Sequence, residues 1–306
     1  MSILITELFS AHFTTPEFMM RAIHFPPWIK DEIFHIGPIS VKWYGVSYII
    51  GLFLAYYYAK RTCARTDIWV PKTDGGTPSL IPNGRMLEDY MFYCLLGIII
   101  GGRIGSILLY NTADYISDPI RIFKVWEGGM AFHGGFLGVV VAAIYMSRSR
   151  KIAQARIADL AAISAPIGIG LVRIANFINQ ELYGRVTDVS WAFIFDTSPY
   201  PRHPSQLYES FLEGFVIFIV LFIGARKFKT LTKPGLSTGM FLVMYGAFRI
   251  FVENFREPDV GIAQFGFLTR GMMYSLPMVI IGLIVIMWAL KRPAVAVLRP
   301  TEEVPT

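Results

Sequence analysis

The chain has 306 residues, of which 54% are hydrophobic and only 16% charged, with a mean hydropathy of +0.49. A soluble domain carries about 25% charged residues, so the composition argues against a soluble globular class and for a multi-spanning membrane protein. The net charge of +6 does not signal nucleic acid, because the basic residues form short clusters beside apolar runs rather than one continuous face.

Residues 1–40 read as an outer arm. Residues 1–20 lack the basic region followed by an apolar region and small-residue site of a cleavable signal peptide, and FPPW with its neighbouring Phe and Met residues suits a membrane interface. A span needs about 20 apolar residues. Seven stretches qualify: 41–60, 88–110, 130–147, 157–178, 208–225, 236–254 and 271–290. The expected fold is an all-α polytopic integral membrane protein, its catalytic part at 41–290 and a polar tail at 291–306. The Pro/Gly-rich loop 71–84 has no assigned role. Cys63 and Cys94 supply neither a disulfide framework nor a zinc pattern and read as small packing residues. Gly97, Gly101 and Gly105 recur every four residues, as do Gly134 and Gly138, which predicts close helix contacts.

Lys and Arg concentrate in alternate loops: Lys60, Arg61 and Arg65 after span one, Arg148, Arg150 and Lys151 after span three, Arg226, Lys227 and Lys229 after span five, and Lys291 and Arg292 after span seven. The positive-inside rule then puts the N-terminus outside and the C-terminus in the cytoplasm.

A charge at the centre of a span costs about 2.5–3.5 kcal/mol on insertion scales, so such residues are functional candidates. With this topology Arg103, Arg173, Arg249 and Glu253 fall in the outer half of the bilayer, as do Tyr44 and His133. At 100° per residue Arg173, Asn176 and Gln180 share one helix face. Arg249, Glu253 and Arg256 form a second stripe with internal ion pairing. Structural Arg–Glu pairs tying helices together are the plainer reading of these stripes. An arginine cluster open to the outer leaflet also suits a lipid phosphate, which accepts planar bidentate donors. His133, between Phe132 and a Gly-Gly pair, is a candidate general base, with a satisfied core histidine as the alternative.

The stretch RIANFINQELYG (173–184) resembles the signature of the prolipoprotein diacylglyceryl transferases of bacterial inner membranes. KWYG, GGRIG, VWEGGMAFHGG, PRHPSQLYE and YGAFRIFVENFREPD resemble that family in the same order. The resemblance implies transfer of a diacylglyceryl group from phosphatidylglycerol to the lipobox cysteine of a prolipoprotein, giving a thioether and glycerol phosphate. It implies no metal or diffusible cofactor, and an active site toward the periplasm. By motif match Tyr44, His133, Arg173 and Arg249 are the catalytic candidates. Asn176, Glu181, Gly184, Tyr245, Glu253 and Arg103 join Arg173 and Arg249 as candidates for binding phosphatidylglycerol. His203 is a weaker transfer. The sequence departs from the signature at Val172, where the family has Gly. An anion transporter is the rival reading; it predicts midplane charges and repeat symmetry, and the sequence has neither.

Overall fold

The computed structural model describes residues 22–36, 39–69, 79–110, 112–124, 129–257, 269–292 and 297–298. The outer arm up to residue 21, most of the 71–84 loop, Trp126 and Glu127, and nearly all of the tail lie outside the described residues.

Among the described residues, seven main helices form at the seven apolar stretches. They are α1 (Trp43–Ala64), α2 (Gly84–Leu109), α3 (Phe132–Ser149), α4 (Gln154–Ile178), α5 (Ser205–Lys227), α6 (Leu236–Val252) and α7 (Arg270–Lys291). By length and composition, α2, α4, α5 and α7 are long and apolar enough to cross a membrane. α6 has 17 residues, about 25 Å at 1.5 Å per residue. The strands are short: β1 (Ile23–His24), β2 (Glu32–Ile36), β3 (Ile39–Lys42), β4 (Ser79–Leu80), β5 (Phe193–Ile194) and β6 (Val297–Leu298).

The chain forms two compact units. The first comprises Met1–Tyr57, Ala162–Gly224 and Ser237–Trp288. Here β2 and β3 pair as an antiparallel hairpin that leads straight into α1, with Lys42 Nζ 3.0 Å from Asp31 Oδ2. β1 pairs in parallel with β5. Phe25, Phe177, Phe193 and Phe195 pack together beneath that pair, with ring centroids 5.1–6.1 Å apart. Helix contacts in this unit run through glycine. A Cβ on Gly51 would lie 3.1 Å from the α-carbon of Gly168, and one on Gly214 would lie 2.5 Å from the α-carbon of Gly170. On α6, Gly239 and Gly246 meet the backbone of α7 at Gly282 and Ser275.

The second unit comprises Tyr58–Ala161, Ala225–Leu236 and Ala289–Thr306. The expected glycine seam forms here. Gly97, Gly101 and Gly105 on α2 face Gly134 and Gly138 on α3 so closely that a side chain at any of these positions would strike backbone. α2 starts where Asn83 Oδ1 accepts from Met86 N at 2.9 Å, an N-cap. Near the other ends of these helices Met86, Met146, Ile152 and Ile157 form a small core. Arg156 is fully buried, stacks over Trp69 and donates to Leu231 O at 3.1 Å, while Asp159 accepts from Gly235 N at 2.7 Å. Asp67 accepts from Arg65 and Lys229, and these bonds hold its carboxyl well below the usual range.

Candidate active site

The polar centre of the first unit is a lattice of arginines and glutamates contributed by α4, α5 and α6. Glu209 on α5 bridges two arginines: Arg249 Nη1 bonds to its Oε1, and Arg173 Nε lies 3.2 Å from its Oε2. Arg249 Nη2 also lies 3.0 Å from Glu253 Oε2. Arg173 Nη2 lies 3.7 Å from Glu213 Oε2. The pairing of Arg249 with Glu253 is the one expected from their four-residue spacing. Glu209 and Glu213 were not among the expected site residues. Their signal is nonetheless present: Gln206, Glu209 and Glu213 sit at i, i+3 and i+7 of an otherwise apolar helix, which puts all three on one face.

The side chains of Glu209 and Glu213 have no exposure, whereas those of Arg173 and Arg249 keep 19% and 12%. The arginine side chains are therefore the more accessible partners, and Glu209 and Glu213 the more deeply buried ones.

Local backbone choices make this arrangement. Ser210–Val216 is wound as π-helix within α5. The wider i→i+5 turn brings residues four apart closer to one azimuth, and such segments are rare and concentrate at functional sites. It turns Glu209 and Glu213 together toward the arginines. Gly214 then packs on Gly170, and Ser210 Oγ donates to Gly170 O at 2.9 Å. Glu253 rests against Gly271 in the first turn of α7, where a Cβ would lie 2.5 Å from its carboxylate. A helix N-terminus favours a negative charge. Tyr245 lies one turn before Arg249 and close enough to Arg173 to interact with it electrostatically.

The remaining signature residues organise the turn after α4. Asn176 is buried and donates through Nδ2 to Glu181 Oε1 at 2.7 Å. Glu181 thus holds Asn176, while Arg185 donates instead to Arg256 O at 2.9 Å. Gly184 lies where three chain segments cross. Its N–H donates to His203 O at 2.8 Å, it bridges Arg256, and a Cβ would meet Phe255 O and His203. His203 Nδ1 lies 3.1 Å from Tyr208 Oη, and burial lowers the pKa of its ring. Tyr44 is exposed at the start of α1 and pairs with Tyr48 through hydroxyls 3.1 Å apart.

Two expectations about stripes need correction. Gln180 does not share the face of Arg173 and Asn176. α4 ends at Ile178, Gln180 has φ +55°, and its amide bonds reciprocally with Asp196. Arg256 likewise falls beyond the end of α6 at Val252, and its backbone pairs with Gly184. Helical spacing does not hold past either helix end.

The other two candidates belong to the second unit. Arg103 is buried and donates to Ile122 O at 2.9 Å, Tyr115 Oη at 2.8 Å, Gly129 O at 3.1 Å and Arg121 O at 2.9 Å. Its guanidinium is committed to the segment between α2 and α3. His133 stands in the first turn of α3, exposed, with Nδ1 3.3 Å from Tyr110 Oη. It borders an almost wholly apolar groove of about 720 Å³ that runs along the glycine seam between Tyr93 and Tyr145 at one end and Leu108 at the other.

Four apolar helices of spanning length among the described residues, with a buried Arg–Glu lattice within the first unit, fit a multi-pass helical membrane protein. The profile of the family described as prolipoprotein diacylglyceryl transferase matches residues 31–288, and the chain belongs to that family. It is 47% identical over 277 residues to a protein of Brucella canis named phosphatidylglycerol–prolipoprotein diacylglyceryl transferase, covering 89% of this chain and 94% of that one. Proteins of the same name from Brucella ovis and Brucella abortus match at the same identity and coverage.

Proposed function

We propose that this chain transfers the diacylglyceryl group of phosphatidylglycerol to the lipobox cysteine thiol of prolipoproteins, forming a thioether and releasing glycerol phosphate. This is the first step of bacterial lipoprotein maturation. The observation that carries the reading is the Arg173–Glu209–Arg249 lattice, in which the arginine side chains keep some exposure while Glu209 has none, in a chain so similar to transferases of that name.

The thiolate is the nucleophile, since a thiol attacks weakly. It attacks the sn-3 carbon of the lipid glycerol, and the electrons of the C–O bond leave with the phosphate. Negative charge grows on that phosphate in the transition state. Donors fixed in advance at that position, here Arg173 and Arg249, stabilise it most. Glu209 fixes the separation of the two arginines, and Glu253 orients Arg249. Asn176, held by Glu181, and Tyr44 orient the lipid, with Tyr245 beside Arg173. His133 accepts the thiol proton. Arg103 acts through the segment it pins, and Gly184 through the crossing it permits.

The proposed setting is the bacterial inner membrane, with seven spans, the N-terminus outside, the C-terminus in the cytoplasm and the reaction on the periplasmic side. The alternation of basic loops supports this topology. The partners are phosphatidylglycerol and lipobox prolipoproteins, with no nucleic acid.

The test is incubation of the purified protein with phosphatidylglycerol and a lipobox peptide, followed by mass spectrometry. The proposal expects the peptide cysteine to gain a diacylglyceryl group. Transfer of any other part of the lipid contradicts it.

A further inference from the structure

Glu213 has no place in the mechanism above, yet it is the most anomalous group in the site. It is fully buried, and neither carboxylate oxygen has a hydrogen-bond donor. Its contact with Arg173 Nη2, at 3.7 Å, is an ion pair beyond hydrogen-bond reach. A buried carboxylate left this way is costly. The π-helical segment that carries it and the Gly214–Gly170 contact beside it hold it there.

Charge counting shows what such a group does. The lattice holds Arg173 and Arg249 against Glu209, Glu213 and Glu253. Arg256 and Tyr245 also face Glu213. Even with Arg256 counted, three cations meet three carboxylates before any lipid arrives. A phosphodiester brings one further negative charge into this buried place. Two unit charges of like sign a few ångströms apart in a poorly solvated site repel by several kcal/mol, so the site must neutralise a carboxylate. Glu209 engages both arginines, and Glu253 is paired with Arg249 and packed on Gly271. Of the three, Glu213 alone has both oxygens buried without a donor and its nearest guanidinium nitrogen as far as 3.7 Å.

We propose that Glu213 is the resident counter-ion of Arg173, displaced by the lipid phosphate and protonated as it is displaced. One proton enters from solution for each lipid bound, converting the carboxylate to the acid, and leaves when the phosphate product departs. Glu213 is a positioning residue in this scheme and makes no bond to substrate. The proposal rests on the reading that Arg173 and Arg249 hold the phosphate.

The experiment measures the Kd of purified full-length protein for phosphatidylglycerol in detergent, without peptide, from pH 5 to 9. The diester phosphate does not titrate in that range. Wild-type Kd should rise with pH, approaching about tenfold per unit where the free carboxylate is ionised. Glu213→Gln should flatten that rise and bind more tightly at high pH. A wild-type slope retained in Glu213→Gln overturns the proposal. So does a flat wild-type profile, which decides the matter even if the variant fails to insert. Arg249→Ala separates the two levels: wild-type affinity in that variant overturns the phosphate reading itself. Weakened binding there, together with an unaltered slope in Glu213→Gln, overturns only the role of Glu213.

Discussion

Glu209 and Arg249 form an ion pair between α5 and α6 in which the carboxylate has no solvent exposure. The same carboxylate reaches Arg173 on α4, so one side chain couples three helices. Removing one partner of a buried pair costs about 3–5 kcal/mol, because the other charge is left behind. Glu209→Ala should therefore lower the thermal stability of the detergent-purified protein as well as abolish transfer. Glu209→Gln keeps the shape and should fold while transferring poorly. A fully active Glu209→Ala would show that the bridge does not set the arginine spacing.

Gly271 and Glu253 give a sharper separation of stability from activity. A methyl group at Gly271 meets the end of a flexible side chain rather than backbone. Gly271→Ala should melt close to wild type while moving the carboxylate off Arg249. Turnover should then fall with little change in melting temperature. An equal loss of both would mean that Gly271 serves packing alone.

Gly184→Ala should behave in the opposite way. Its Cβ would meet Phe255 O and the backbone and Cβ of His203, none of which gives easily. Overpacking of this kind costs about 1–3 kcal/mol. The variant should melt lower, with activity falling in parallel as the turn after α4 shifts.

How much of this was legible follows from what each feature needs. The helices were readable because long apolar stretches announce themselves, and the glycine seam of α2 and α3 because small residues at four-residue spacing have one common use. Arg249 and Glu253 were paired correctly from spacing on one helix. The partners of Arg173 were not, because they lie on α5, and no spacing along α4 points to another helix. Gln180 leaves the stripe and Arg256 lies beyond its helix because helical angles do not hold past the last helical residue, and nothing local to those residues marks where each helix stops. The π-helical turn at Ser210–Val216 has no sequence signature that separates it from ordinary helix. Arg103 stood out as a buried charge, but its acceptors are backbone carbonyls, which any sequence supplies.

The acid side of the stability profile should carry a contribution from His203. Burial lowers its folded-state pKa below the unfolded value of about 6.5, against a smaller opposing pull from Asp188. The unfolded chain then binds more protons between the two values, so stability rises with pH there. The contribution is fully present above about pH 6.5 and is lost as pH falls through the lower folded value. Melting temperature should decline from pH 7 toward pH 5, and His203→Gln should decline less. Identical declines would assign the effect to other groups.

His133→Gln tests the proton acceptor. If His133 takes the thiol proton, turnover should drop by about 10²–10⁴-fold. Near-normal turnover would leave His133 a positioning group.

The central claim is that Arg173 and Arg249 stabilise a phosphate leaving from phosphatidylglycerol as the cysteine thiol displaces it. Mass spectrometry of a lipobox peptide, incubated with phosphatidylglycerol and either wild-type or Arg249→Ala protein recovered equally from membranes, tests it most directly. The account predicts a diacylglyceryl thioether with wild type and none with Arg249→Ala; a fully lipidated peptide from Arg249→Ala would contradict it.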